Sequence, residues 1–297
     1  MPELSRGFGE QGGLIGTVCV PAGGVTVVEE SDLGVVLFNA GVVHRVGPHR
    51  VNVKLARALL GHGVPSIRFD LHGMGDSVRA GGALSHREQV TDDLRRAMDE
   101  LQRETGVSRF ALFGFCSGAM QSLYAAQTDP RVRRIVLYDG FAAPTPKSRW
   151  RFFMLRLRAR GLGPSSISRV LRRAWKSLCA RLSSRGRPDA DMAASEPSLP
   201  ELASAFGELA RRGVDVVVLN AGADFSQFNY EEQAHEALVA AGMPPGAARC
   251  GFLPGTDHVV TSRAAQHDFI EWLCVNLRGH VGQAPDDAWH DAGGARP

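Results

Sequence analysis

The sequence predicts an α/β fold, with a mainly parallel central sheet covered by helices, and three observations carry that expectation. Short aliphatic and β-branched runs alternate with longer segments of helical periodicity. The 297 residues, 44% hydrophobic and 22% charged, suit a globular chain with one substantial core. About 75 residues separate two of the strands, far more than a crossover helix needs, so an insertion is expected there.

In chain order, Leu14 to Val20 reads as a strand ended by Pro21 and Gly23-Gly24, and Val25 to Val28 offers a second. Leu33 to Phe38 reads as a buried strand leading into the loop Asn39-Ala-Gly-Val42. A helix carrying Val51, Leu55, Leu59 and Leu60 follows Pro48, then a strand from Val64 to Phe69 and a glycine-rich loop from Asp70 to Ser77. Ser85 and Glu88 have capping-box spacing, which starts a helix that runs to Thr105-Gly106. Further strands are expected at Arg109 to Phe113, Val132 to Tyr138, Val214 to Leu219 and Arg249 to Leu253, with helices at Ser117 to Thr128 and Ser262 to Leu277.

The expected division is a core of residues 1–140 and 201–278, a helical lid at 141–200 with Pro188 to Pro200 as its linker back, and a poorly ordered tail at 279–297. Within the lid, Ile167, Val170, Leu171, Ala174, Trp175, Leu178 and Leu182 keep helical spacing while basic residues take the positions between. The net charge of +3 hides a strong segregation. Phe141 to Pro188 holds 13 of the 34 Lys and Arg residues and no acid, leaving 21 basic against 31 acidic residues elsewhere, a net of −10.

Nothing approaches the roughly 20 consecutive apolar residues of a membrane span, and Met1 to Glu10 lacks the apolar run of a secretory signal, so a cytoplasmic chain is expected. The five cysteines (Cys19, Cys116, Cys179, Cys250 and Cys274) are odd in number and form no C-x-x-C pair. No metal or cofactor is expected.

The chemistry points to Gly114-Phe115-Cys116-Ser117-Gly118, a G-x-C-x-G between a strand and a helix, the pattern of a nucleophile elbow. Small residues on either side let strand and helix approach, and the central side chain is forced out over the sheet edge. There a thiol lies beside a helix N-terminus, which favours its thiolate. Ser117 is a competing nucleophile by residue type, one place off the centre. The Ser117 N–H and, from the loop after the earlier strand, the Val42 N–H are the candidate oxyanion donors. The expected order of nucleophile, acid and histidine places the base at His258, in the loop after the last strand. For the acid, Asp224 follows a late strand and is favoured, with Asp139 before the lid as rival. Asp257 is expected to orient the loop.

The segments Asn39-Ala-Gly-Val-Val-His-Arg-Val-Gly-Pro-His-Arg50, Arg68-Phe-Asp-Leu-His-Gly-Met-Gly-Asp-Ser77 and Gly114-Phe-Cys-Ser-Gly118 resemble the cysteine-type α/β hydrolases of exosortase systems. Similar proteins occur in bacterial natural-product gene clusters. The resemblance implies an α/β-hydrolase fold and a Cys-His-Asp hydrolase or acyl-transfer catalyst, carried onto Cys116, His258 and Asp224. The basic lid has no counterpart in it.

Together these readings predict a thioesterase or acyltransferase working through an acyl-cysteine. The arginine-rich lid suggests an anionic carrier, phosphopantetheine on an acyl carrier protein or coenzyme A. A carboxylesterase acting on a small ester, a lyase or cyclase, and a binding protein for anionic surfaces are the alternatives. Membrane contact by the lid is not favoured and nucleic acid is not expected, because binders of nucleic acid more often interleave aromatics and polar loops.

Overall fold

The computed structural model describes residues 3–21, 32–82, 84–160, 197–224 and 227–278. Eight strands form one sheet: β1 (Glu3–Phe8), β2 (Leu14–Cys19), β3 (Leu33–Leu37), β4 (Ser66–Asp70), β5 (Arg109–Phe115), β6 (Val132–Tyr138), β7 (Asp215–Ala221) and β8 (Arg249–Leu253). Their order is β1-β2-β4-β3-β5-β6-β7-β8. β1 and β2 pair antiparallel, as do β2 and β4, and every other pairing is parallel. β3 is buried along its whole length, which is why it reads as a continuous apolar run without alternation.

The helices are α1 (Val51–Gly61), α2 (His86–Thr105), α3 (Ser117–Thr128), α4 (Pro146–Arg160), α5 (Leu199–Arg211), α6 (Gln233–Ala240) and α7 (Arg263–Arg278). Each face of the sheet has its own core. Leu55 and Leu59 of α1 and Phe269 and Leu273 of α7 pack one face against Leu37, Phe113 and Val136. Leu94 and Met98 of α2, Leu123 of α3 and Phe206 of α5 pack the other against Leu112, Ile135 and Val218.

Ser85 caps α2 as its spacing predicts, and Gly106 ends it with φ 78°, a left-handed turn that glycine adopts without a Cβ penalty. The spans of α3, β6 and β8 coincide with their sequence expectations. β1 was not foreseen, because its pattern Glu-Leu-Ser-Arg-Gly-Phe is that of a polar edge strand with little apolar signal. The expected strand at 25–28, the lid helix spanning 167–182 and the tail at 279–297 lie outside the described residues. Of the expected linker at 188–200, the described end begins α5: Pro200 sits in its first turn, and Ser198 with Glu201 forms a capping box. No helix among the described residues is long and apolar enough to cross a membrane.

Candidate active site

The sheet ends its central strand β5 at the elbow. Cys116 has φ 55° and ψ −120°, and its N–H donates to Tyr138 O at 2.8 Å. The close approach requires glycine at 114, where a Cβ would lie 2.5 Å from Gly118 O and 2.6 Å from Ala119 Cα. The thiol is half-buried at the N-terminus of α3.

β6 neighbours β5, so the residue after β6 lies beside the elbow. That residue is Asp139, itself in a left-handed conformation (φ 47°) and with its side chain nearly fully buried. Its Oδ1 accepts from the Ala221 N–H at 2.9 Å and its Oδ2 from His258 Nδ1 at 3.0 Å. With Nδ1 committed to Asp139, the other ring nitrogen of His258 is the one hydrogen-bonded to the Cys116 thiol. A third left-handed residue, the buried Val260 (φ 55°), lies two positions beyond His258. A β-branched side chain rarely adopts that conformation, so strained backbone is found in all three loops of the constellation.

The favoured acid of the sequence reading is therefore corrected: the imidazole is bonded to Asp139, and Asp224 is exposed. Proximity of loops, the reason for favouring Asp224, is real, because Gly222 and Ala223 donate to Leu253 O and Thr256 O. Yet the chain is already pinned to the His258 loop at those two residues before it reaches Asp224. Asp139 has the shorter path, from the strand next to the nucleophile.

The imidazole is also held by aromatic packing that sequence reasoning missed. The Tyr138 ring stacks on it (12° between planes, centroids 6.3 Å apart) and Phe115 meets it edge-on at 5.7 Å. The Tyr138 hydroxyl donates to Asp257 O at 2.9 Å, fixing the loop one residue before the histidine. Asp257 itself orients the loop, as expected, by accepting from the Thr261 N–H at 2.7 Å.

Electrostatics single out this thiol. The hydrogen-bonded His258 draws Cys116 below the ordinary thiol range, against a burial that pushes it up, with the Ser117 N–H helping. Burial moves the other described cysteines the opposite way: Cys19 is raised, Cys274 pushed up to about 11 and Cys250 to about 12. His258 is raised to about 10, first by its bond to Asp139 and then by the thiol. The lowered thiol and the raised imidazole both favour a thiolate beside an imidazolium. Alkylation of Cys116 by iodoacetamide should accordingly reach half its maximal rate at a pH below that of an ordinary thiol, and His258→Ala should move that midpoint upward. A midpoint unchanged by His258→Ala, read by mass spectrometry of the Cys116 peptide, would contradict the pairing.

The loop that carries Val42 is tied to the elbow that carries Ser117. Ser117 Oγ accepts from the Gly41 N–H at 2.9 Å, which ties the loop after β3 to the start of α3 and gives this hydroxyl a positioning role beside the thiol. Among the described residues the Val42 N–H has no hydrogen-bond partner. The loop is braced from beneath by the fully buried Asp70, whose Oδ1 accepts from the Asn39 amide (2.9 Å) and the Arg45 N–H (2.6 Å). Asn39 in turn accepts from the Leu71 N–H at 2.6 Å. Glycine is needed at 75, where a Cβ would come within 2.3 Å of the Asp70 carboxyl carbon. Two of the sequence motifs are thus one scaffold under the oxyanion loop. His44, Asp70 and Asp76 converge closely enough to hold a metal ion. Arg45 already supplies a cation there, bonding both carboxylates, so the set does not read as a metal centre.

A family model for the alpha/beta hydrolase fold matches residues 35–162. No curated protein matches the chain. Among solved structures it is similar to an α/β serine hydrolase without a lid from Xanthomonas campestris, at 16% identity over 96% of each chain and a TM-score of 0.53. It is also similar to an esterase domain from Rhodothermus marinus, at 15% identity over 95% of this chain and 99% of that one, TM-score 0.53. A putative dienelactone hydrolase from Klebsiella pneumoniae gives 15% identity over 94% and 99%, TM-score 0.54. With the sheet order and the central elbow, these matches show that the chain has the α/β-hydrolase fold.

Proposed function

We propose that this protein is an acyl-transfer enzyme with a Cys116-His258-Asp139 triad, and the observation that carries the reading is the Asp139–His258 bond at 3.0 Å leading to the elbow thiol. The Cys116 thiolate attacks the acyl carbonyl carbon, and the Ser117 and Val42 N–H groups face the oxygen that becomes negative. As the bond to the leaving group breaks, His258 gives that group its proton. Water or another acceptor then loses a proton to His258, attacks the acyl-cysteine and releases the thiolate. Asp139 keeps Nδ1 protonated and balances the imidazolium.

Thioesters are the favoured substrates, because a sulfur nucleophile exchanges readily with a sulfur leaving group. The basic residues of 141–188 suit the phosphates of coenzyme A or of a phosphopantetheine-bearing carrier protein. Val42, Val43 and Val259, exposed on the two loops that flank the thiol, suit an apolar acyl group. Hydrolysis of an oxygen ester follows the same steps, and the structurally similar proteins include ones named as esterases. Mixing the protein with an acyl-N-acetylcysteamine thioester and weighing it intact should show an acyl adduct that Cys116→Ala lacks. Absence of that adduct in the wild type, with no turnover, would sink the mechanism. Faster consumption of the oxygen ester of the same acyl group would favour the esterase reading.

A further inference from the structure

The helix α4 presents two faces that its sequence alone does not separate. Its root is clamped to the body of the protein: Ser148 is buried, its carbonyl accepts from the Asn229 amide at 3.0 Å, and Thr145 Oγ1 meets the Tyr230 hydroxyl at 2.6 Å. On the opposite side of the helix, Trp150, Phe153, Met154 and Leu157 follow the i, i+3, i+4, i+7 spacing that puts residues on one face. Trp150 is 63% exposed and Phe153 47%, with their rings 5.8 Å apart. Leu155, on the Ser148 side two turns beyond the root, is also exposed, so the helix stands away from the body there.

Exposed basic residues run along both flanks of this ridge. Arg149 and Arg156 lie on one side, Lys147, Arg151 and Arg158 on the other, and α4 contains no acid. Lys147 is partly engaged with Glu236 at 3.4 Å, whereas the arginines have no carboxylate partner among the described residues. A partner for this surface must therefore be apolar along the centre and anionic along both edges for the whole length of a straight helix. A nucleic acid supplies the anions without the apolar strip. We propose that α4 docks on an anionic lipid surface, lying in its plane with Trp150 and Phe153 at the acyl boundary and the flanking arginines among the phosphates. This contact does not depend on the chemistry of Cys116.

The test uses the full chain with vesicles of phosphatidylcholine, with or without about 30% phosphatidylserine, the kind of anionic leaflet that attracts basic segments. Binding by co-sedimentation should be at least tenfold stronger with phosphatidylserine, fall with added salt, and remain in Cys116→Ala. Trp150→Ser with Phe153→Ser, and separately Arg149→Gln with Arg156→Gln, should each weaken it at least tenfold without altering the circular dichroism. The second pair matters because seven more basic residues lie between 161 and 187, and binding that both double variants retain would overturn the proposal. It would also be overturned by an absence of vesicle binding. In that case, a Trp150-dependent dimer on gel filtration would assign the ridge to a second copy of the chain. Resistance of Trp150 emission to acrylamide would mean that the chain itself covers it.

Discussion

Replacing Asp139 with asparagine is expected to lower kcat/KM for Cys116-dependent acyl transfer by about 10⁴-fold, the loss seen when a triad carboxylate becomes an amide and the histidine tautomer is no longer fixed. Asp224→Asn, on the exposed residue, should change it by less than about threefold, within the range of a substitution outside the reacting unit. Asparagine can still accept from the Ala221 N–H, so the loop is expected to keep its shape and the thermal stability to stay close to wild type. Steady-state kinetics on the two purified variants decides the matter. Equal losses in both, or a larger one in Asp224→Asn, would place the acid on the other loop.

The second large effect is on the fold. In Gly114→Ala the new methyl would stand 2.5 Å from a carbonyl oxygen and 2.6 Å from a Cα, both belonging to the α3 backbone, so no side chain can turn aside to admit it. Strand and helix would have to separate at the point where the elbow holds them. A loss of more than about 4 kcal/mol is expected, in the range reserved for core disruption, and denaturant unfolding or the yield of soluble protein would register it. Gly118→Ala is a useful contrast, since its Cβ would meet the Phe38 ring at 3.2 Å and Asn39 O at 3.3 Å, contacts a small shift can ease. A Gly114→Ala protein as stable as the wild type would mean that the elbow is looser than this packing implies.

Much of the fold was legible because buried parallel strands carry nearly unbroken apolar runs, as β3, Phe110–Phe113 of β5 and Ile135–Tyr138 of β6 do, and because α2 announces its start with Ser85 and Glu88. α5 had the same announcement in Ser198 and Glu201, and the nearby prolines drew attention from it. The edge strand β1 is defined by its partner, not by its own composition. In the site, Cys116 and His258 could be read from local pattern and chain order. The choice between Asp139 and Asp224 could not, because it turns on which strand lies next to β5, a fact of sheet order. Tyr138 was hidden for the same reason: a tyrosine ending a buried strand looks like core until the loop it supports is in place.

The left-handed backbone at Cys116, Asp139 and Val260 has a consequence for how this protein can change over generations. Each such residue costs about 1–3 kcal/mol that a glycine there would not. Backbone strain therefore favours glycine at Cys116 and Asp139, where the chemistry of the side chain opposes it, whereas at Val260 the buried side chain offsets the strain by packing. A lineage released from selection for activity has a direct route to greater heat tolerance through the loss of its own nucleophile and acid.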